Sequence, residues 1–518
     1  MEQSLWFMKS SRQIEARFKL YNTMSRRVEE FIPLHPPQVG FYACGPTVYD
    51  FTHLGHLRRY TMDDVLIRTL RSVGFQVKFV QNITDVGHLV SDADTGQDKL
   101  EKGAQKYQQT VWQVAEKFTE YFFTSLDQLN VLRPDISCKA TDYIDEQIEM
   151  VKELERKGYT YIIEGDGVYF DTNKLDDYGR LARLDIENLQ AGARVEMVPG
   201  KRQPTDFALW KFEKQGESRQ MSWSSPWSER GFPGWHIECS AMSRKHLGDQ
   251  FEIHTGGMDH ISVHHPNEIA QTESVTGKKP SVKYWVHHGV MTVDGQKMSK
   301  SLGNIFTIDD VKAKKIRPLA LRLFFLSAHY RSELNFTWEN LAGVDKAYRK
   351  LLSEVASWKK EDVSSETILS VNPELVANVK PELVYPLNRR DSGSESSDYS
   401  RLFWSHLAND LDTPQALAVF WQVVKSDLSD SAKIKFLYEF DQVFCLGLFD
   451  PNVQELNKNL LELDEQQLPE NVRELLAQRA QAKAQKNYQL ADSLRQKLLE
   501  QQYNVIDTSN GVVVKKLD

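Results

Sequence analysis

The sequence predicts an α/β fold built on a parallel sheet, continued by a helical region and a small mixed C-terminal unit. Three stretches carry that expectation. Val39–Cys44 is a short apolar strand broken by the turn signal Gly45-Pro46; residues 53–73 carry apolar side chains at helical spacing until Gly74; Phe75–Val80 alternates and is rich in β-formers. Strand, helix and strand within about 40 residues make a βαβ unit, the element of parallel nucleotide-binding sheets. Beyond Thr307 the pattern turns helical, with Leu319, Leu321, Leu323 and Phe324 crowded on short apolar periods. The end of the chain reads as a charged helical pair followed by a hairpin of Tyr503–Asp507 and Gly511–Val514.

A length of 518 residues exceeds what one hydrophobic core usually supports, so several domains are expected. The segments expected are an N-terminal extension (1–24), a first α/β half (25–130), a connective insertion (131–228), a second half (229–290), a loop-bearing region (291–340), a helical bundle (341–465) and a C-terminal unit (466–518). Within the bundle, the polar run Asp391-Ser392-Gly393-Ser394-Glu395-Ser396-Ser397-Asp398 predicts a disordered loop over 360–400.

Composition excludes some classes. Hydrophobic residues at 41% and charged residues at 26% are ordinary for a soluble globular protein. No apolar run approaches the roughly 18 residues of a membrane span, and Met1-Glu2-Gln3-Ser4 opens neither a signal nor a transit peptide. A cytoplasmic protein without membrane partners is expected. The formal charge of −8 does not advertise nucleic acid, but binding depends on where charge lies rather than on its sum. The four cysteines, Cys44, Cys138, Cys239 and Cys445, lie far apart, and without a secretory signal a disulfide framework is not expected. Cys138 and Cys445 read as small buried hydrophobes.

Cys44 and Cys239 stand in a different context. His264-His265-Pro266-Asn267-Glu268 opens a predicted helix, on which His264 and Glu268, four apart, share a face. Such pairs are common on surfaces and alone say little. With Cys239, in Gly234-Trp235-His236-Ile237-Glu238-Cys239, and Cys44 at a strand end, they would form a mixed sulfur, nitrogen and oxygen set that zinc accepts. Spacing alone does not bring the four together.

Two further strings suit a nucleotide. His53-Leu54-Gly55-His56 sits where a loop enters a helix, whose free N–H groups and partial positive charge attract phosphate. Gly55 lets a ring approach the backbone. About 240 residues later, Lys297-Met298-Ser299-Lys300-Ser301 follows the turn-like Asp294-Gly295-Gln296. Two lysines on a Gly-flanked loop can neutralise charge that builds on a leaving pyrophosphate.

Together these strings, with Phe41-Tyr42-Ala43-Cys44-Gly45-Pro46-Thr47-Val48-Tyr49-Asp50 and Ser240-Ala241-Met242, resemble cysteinyl-tRNA synthetases of the class I aminoacyl-tRNA synthetase family, from about Lys19 onward. The resemblance implies a Rossmann-like catalytic domain with an inserted connective domain, a stem-contact region after the second string, a helical bundle and an anticodon-binding C-terminal unit. It implies one zinc per chain on Cys44, Cys239, His264 and Glu268, and ATP with magnesium on Pro46, Thr47, His53, Gly55, His56, Lys297, Met298, Ser299, Lys300 and Ser301. His53, His56, Lys297 and Lys300 are the catalytic candidates among them. Thr84, Trp235 and Asp259 should line the cysteine pocket; for Trp235 a core aromatic is the plain alternative.

On the RNA side, His329-Tyr330-Arg331-Ser332-Glu333-Leu334-Asn335 and Leu411-Asp412-Thr413-Pro414-Gln415-Ala416-Leu417 also resemble the family, and Lys483, Asp492 and Asp507 match positions that contact anticodon bases. Acidic side chains can accept from base amino groups exposed in single strands. The implied partners are tRNA(Cys), L-cysteine and ATP, with the chain a monomer. The implied activity is ATP-dependent formation of cysteinyl-adenylate and its transfer to tRNA, zinc selecting thiol over hydroxyl. Two rivals stay open: a ligase of the same type joining cysteine to an amino sugar, and a non-catalytic tRNA-binding paralogue. Val86-Gly87-His88-Leu89, Pro266 and His254-Thr255-Gly256-Gly257 depart from the family's commonest pattern.

Overall fold

The computed structural model describes residues 18–87, 98–183, 198–214, 216, 218–358, 396–455, 468–485, 487–501, 503–508 and 511–516. Most of the N-terminal extension, the loop that begins at His88, and residues 360–395 of the expected disordered loop lie outside the described residues, whereas Ser396–Ala408, at its end, is helical rather than a loop.

A five-stranded, wholly parallel sheet organises the first unit. Gln38–Ala43 is central; Gln76–Ile83 and then Ile136–Lys139 lie on one side, Phe251–Gly257 and then Val282–His288 on the other. Both faces of the central strands are covered: Phe41, Tyr42, Ala43, Val80, Ile83, Ile253 and Trp285 are buried, which is why they read as near-continuous apolar runs. The chain builds outward from Gln38–Ala43 in both directions, so the order reverses between that strand and Phe251–Gly257. Doubly wound sheets bind ligands in the crevice at such a switch point.

Local signals place the ends of these elements. Gly45 lies where a Cβ would stand 1.5 Å from the carbonyl oxygen of Asn82, so only glycine lets the ends of the first two strands converge. The helix Leu54–Ser72 begins on His53, whose side chain accepts from the His56 amide, and the chain leaves it through Gly74 at φ +98°, a left-handed turn that favours glycine. Ile136–Lys139 belongs to the parallel sheet, although it falls in the stretch read as an insertion. A second, antiparallel sheet, ordered Thr160–Ile163, Gly167–Phe170, Phe207–Phe212, Ser228–Pro233 and Trp223–Ser225, follows it.

Three arginines pin this unit together from inside. Arg58, on the helix Leu54–Ser72, donates to the carbonyls of Gly289, Val290, His329 and Ser332 at 3.1, 2.8, 3.1 and 2.6 Å. Arg322, fully buried on the helix Pro318–Leu326, reaches Asp64 Oδ2 at 2.5 Å, Leu129 O at 2.9 Å and Phe444 O at 2.5 Å. Arg68 closes on the other oxygen, Asp64 Oδ1, at 2.8 Å. Downstream, Leu334–Phe336 pairs in parallel with Met291–Val293, which pairs antiparallel with Gln296–Lys297 across the Asp294-Gly295 turn. Asp412 caps the helix Thr413–Lys425 through the Gln415 amide.

The second compact unit comprises 346–377, 429–438 and 447–518. Its helices Glu470–Ala484 and Tyr488–Glu500 and the hairpin Tyr503–Thr508 and Gly511–Lys516 share a core of Leu468, Val472, Leu476, Leu498, Tyr503, Val505 and Val514. Among the described residues no helix is long and apolar enough to cross a membrane.

Arg322→Ala should remove the donor shared by the carbonyls of Leu129, Asn130, Val443 and Phe444, and half of the Asp64 pairing. A loss of about 3–5 kcal/mol is expected, as for a broken buried ion pair, read as an earlier midpoint in denaturant unfolding. A midpoint equal to wild type would mean that the network carries no net stability.

Candidate active site

The switch-point crevice is lined by four side chains that arrive from three elements. Cys44 follows the central strand; Cys239 lies one turn into the helix Trp235–Leu247; His264 and Glu268 stack on one face of the helix His264–Thr276, which follows Phe251–Gly257. All four are buried, and one ligand atom from each lies within 4.8 Å of the others. A second set, Cys44, His254, His265 and Glu268, overlaps the first.

Hydrogen bonding separates the two sets. His265 has both ring nitrogens engaged, Nε2 with Cys44 Sγ at 3.3 Å and Nδ1 with His287 Nε2 at 2.8 Å, and His287 is held in turn by Thr23. Glu268 commits Oε2 to His254 Nε2 at 2.9 Å. Its Oε1 makes no hydrogen bond, although it lies 2.9 Å from His264 Nε2. His264 faces His236 through Nδ1 at 2.8 Å. His254, His265 and His236 thus act as an orienting shell, of the kind that fixes tautomer and ring angle around metal ligands. The inner donors, two thiols, an imidazole nitrogen and one carboxylate oxygen, are the mixed set that zinc takes.

The electrostatics agree. Burial pushes the Cys44 thiol up, and the hydrogen bond to Cys44, together with burial, pushes Cys239 further. Both are neutral thiols unless a cation enters, and a metal bound there would deprotonate them.

The nucleotide signatures meet at the N-terminus of the helix Leu54–Ser72. The rings of His53 and His56 stack at 3.5 Å, and His56 is solvent-accessible. Burial, with the nearby charge of Lys300, holds His53 down to about 4, and desolvation by the protein crowded around His56, with His53 and Arg59 close by, holds that ring well below the ordinary imidazole value although one edge reaches solvent. Both rings are neutral at pH 7, able to donate to phosphate oxygens through N–H without adding charge. Gly55 faces the second signature: a Cβ there would stand 2.4 Å from Met298 Cε. Leu54 N also bonds Phe306 O at 2.9 Å, just beyond that signature.

Lys297 is exposed at the edge of the small sheet. Ser299 caps the short 3₁₀ turn Lys300–Leu302, and its hydroxyl lies 2.8 Å from Ser301 Oγ. Lys300, with 63% of its side chain exposed, pairs with Asp50 Oδ2 at 2.7 Å and lies 5.0 Å from the centre of the Tyr49 ring. Pro46 and Thr47 bind back to Thr84: the Thr84 amide donates to Pro46 O at 3.0 Å, and Thr47 bridges Thr84 in parallel.

The residues expected around cysteine do not all sit alike. Thr84 is buried, its hydroxyl accepting from Asn82 Nδ2 at 3.0 Å. Trp235 is half-buried, not a core aromatic; its ring lies 4.8 Å from His264, with Lys99 Nζ 5.3 Å from its centre. Asp259 stands 81% exposed on the 3₁₀ turn Met258–Ile261. In the second unit, Lys483 and exposed Asp492 lie on the two terminal helices and Asp507 on the hairpin. Cys138 is buried, whereas Cys445 is only half-buried.

The orienting histidines were not singled out from sequence. A signal existed: eight of the fourteen histidines fall between 236 and 288, a density that surface scatter does not explain.

A parallel sheet that reverses at its crevice, with His53–His56 and Lys297–Ser301 brought to one helix end, is the architecture of class I aminoacyl-tRNA synthetases. The family described as tRNA synthetases class I (C) catalytic domain matches residues 30–346. The fold also resembles Mycobacterium tuberculosis methionyl-tRNA synthetase, with TM-score 0.51 and 14% identity over 85% of this chain and 96% of that one. Among curated relatives, Cysteine–tRNA ligase 1 of Burkholderia lata is 44% identical over 95% of both chains. Cysteine–tRNA ligase of Treponema denticola is 40% identical over 96% of this chain and 99% of its own, and that of Aquifex aeolicus 38% identical over the same shares. The chain belongs to the cysteine–tRNA ligase family.

The His53 ring gives a pH prediction. Its folded value of about 4 lies below the roughly 6.5 of a free imidazole. Between those values the unfolded chain binds more protons, so this contribution is present above pH 6.5 and is lost as pH falls toward 4. In a histidine-labelled sample, the His53 resonances should titrate near 4; a midpoint near 6.5 would contradict the buried, Lys300-facing environment.

Proposed function

We propose that this chain activates L-cysteine with ATP and transfers it to tRNA(Cys), with zinc on Cys44, Cys239, His264 and Glu268. The observation that carries the metal reading is the convergence of four buried donors, Cys44, Cys239, His264 and Glu268, whose ligand atoms all lie within 4.8 Å of one another. Zinc, when bound, supplies a soft Lewis acid that prefers a substrate thiolate to a hydroxyl. Shape alone separates such isosteres by only about a hundredfold.

The chain's own residues supply positioning and charge. His53 and His56 are neutral donors at a helix N-terminus, where the triphosphate of ATP with magnesium is attracted; Gly55 leaves room for the nucleotide beside the backbone. Pro46 and Thr47, tied to Thr84, form the wall between nucleotide and cysteine. Lys297 and Lys300 neutralise charge on the departing pyrophosphate, Lys300 leaving Asp50 to do so. Met298, Ser299 and Ser301 shape that loop. Trp235 bounds the amino acid, and Asp259, open to the crevice, receives its ammonium. No side-chain nucleophile is needed: a carboxylate oxygen of cysteine attacks the α-phosphorus, pyrophosphate leaves with its bonding pair, and a tRNA ribose hydroxyl then displaces AMP. Catalysis is positioning plus electrostatics. Lys483, Asp492 and Asp507 are the candidates for anticodon contact. The second unit, with its paired helices and hairpin, favours tRNA over an amino sugar as acceptor.

Cysteine-dependent ATP–pyrophosphate exchange tests the activation step. Purified protein should carry one zinc per chain, exchange with cysteine and not serine, and lose more than about 100-fold with Cys239→Ser. Equal exchange with serine would overturn zinc selection. Lys300→Ala should slow exchange by about 10²–10³-fold, the scale of one lost transition-state stabiliser, with little change in KM for cysteine. Transcribed tRNA(Cys), offered beside an amino sugar, identifies the acceptor.

A further inference from the structure

Arg58 and Arg59 are neighbours on one helix with opposite situations. Arg58 is saturated by its four carbonyls. Arg59, three residues after His56 and so on the same side of the helix, points toward the crevice and is not saturated. It donates to the carbonyl of Cys44 through one terminal nitrogen, and its Nε is buried without a hydrogen bond. Asp63 is the one salt-bridge partner found for it among the described residues, at 3.5 Å. That carboxylate is drawn away, because its Oδ1 is bonded to His288 Nε2 at 2.9 Å. Twelve per cent of the Arg59 side chain reaches solvent, so the cation lies on the crevice wall, not in the core.

Its location is specific. It touches Cys44, a member of the thiol-containing quartet, and its charge acts on both His56 and His260, placing it between the metal donors and the nucleotide signature. If cysteine binds by its thiol at the quartet and its carboxylate must meet the α-phosphate near His56, then that carboxylate crosses the same gap. The short bond path from sulfur to carboxyl carbon leaves it little choice of position.

We infer that Arg59 holds the carboxylate of the substrate amino acid, a binding role that rests on the cysteine-activating reading above. The guanidinium offers a planar fork matched to a carboxylate. It grips one oxygen while the other attacks phosphorus. As the O–P bond forms and the bond to pyrophosphate breaks, the carboxylate charge disappears and the grip weakens.

The test compares L-cysteine with cysteamine, which keeps thiol and amine but lacks the carboxylate, by titration calorimetry on zinc-loaded protein. Wild type should bind L-cysteine more tightly than cysteamine. Arg59→Gln should weaken L-cysteine by about 10–100-fold, the scale of a charge-assisted hydrogen bond, and leave cysteamine within about 3-fold; Arg59→Lys should recover part of the loss. Equal weakening of both ligands would make Arg59 a structural residue and overturn the inference, as would wild type binding both thiols equally, a comparison that needs no variant. Wild type that binds neither thiol would overturn the activity reading itself, and this assignment with it.

Discussion

A buried guanidinium sets the geometry on which the catalytic unit depends. Arg58 presents N–H groups in a rigid fork, and four carbonyls from two separate segments meet it. A buried charge is tolerated only where acceptors satisfy it, so residues 289–290 and 329–332 have one permissible arrangement. Gly289 completes the constraint, since a Cβ there would stand 2.3 Å from Ser332 O. From Val290 the chain passes at once into Met291–Val293, the Asp294-Gly295 turn and Lys297. The placement of the lysine loop relative to the helix N-terminus is therefore fixed by a residue two positions after His56.

Around the quartet of Cys44, Cys239, His264 and Glu268 the usual logic of a core is inverted. The deepest part of the crevice is polar: Glu268, His254, His264, His265 and His287 are all buried, walled by Tyr42 and by Trp285, whose ring stacks on His254 at 4.8 Å. Such a cluster stabilises the fold only if its members satisfy one another, because an unpaired group in low dielectric is costly. The histidine chain does so outward, toward Thr23 and Glu268 Oε2, while inward the two thiols, His264 Nε2 and Glu268 Oε1 face one another. Preorganisation for a ligand and satisfaction of the scaffold are divided between the two sides of the same rings.

Much of this was legible in the sequence. Apolar runs and Gly45-Pro46 marked the first strand to within a residue; Gly74 marked the helix end; the entry into that helix at His53 followed from its place before a periodic segment. The i,i+4 pair of His264 and Glu268 was readable because a helix fixes that spacing locally. Convergence of that pair with Cys44 and Cys239 was not, because strand order carries no periodic trace in the chain; only resemblance supplied it. The arginines were missed for a different reason. Arg58, Arg59, Arg68 and Arg322 occupy helices whose charged positions read as solvated faces, and whether a guanidinium meets carbonyls or water is decided by the fold, for Arg58 and Arg322 by segments hundreds of residues away. Ile136–Lys139 escaped notice as a sheet strand because four residues carry too little alternation.

The contact between Gly55 and Met298 joins two strings separated by most of the catalytic unit. With no side chain on one partner and a flexible thioether on the other, they form a bearing rather than a bolt. Once the Lys300–Asp50 ion pair opens, the Gly55–Met298 contact adds no further directional bond to break or to find again. Anything entering there has only methionine carbon and sulfur to displace from a glycine backbone, so the clearance is built into the smallest and one of the most pliable residues of the twenty.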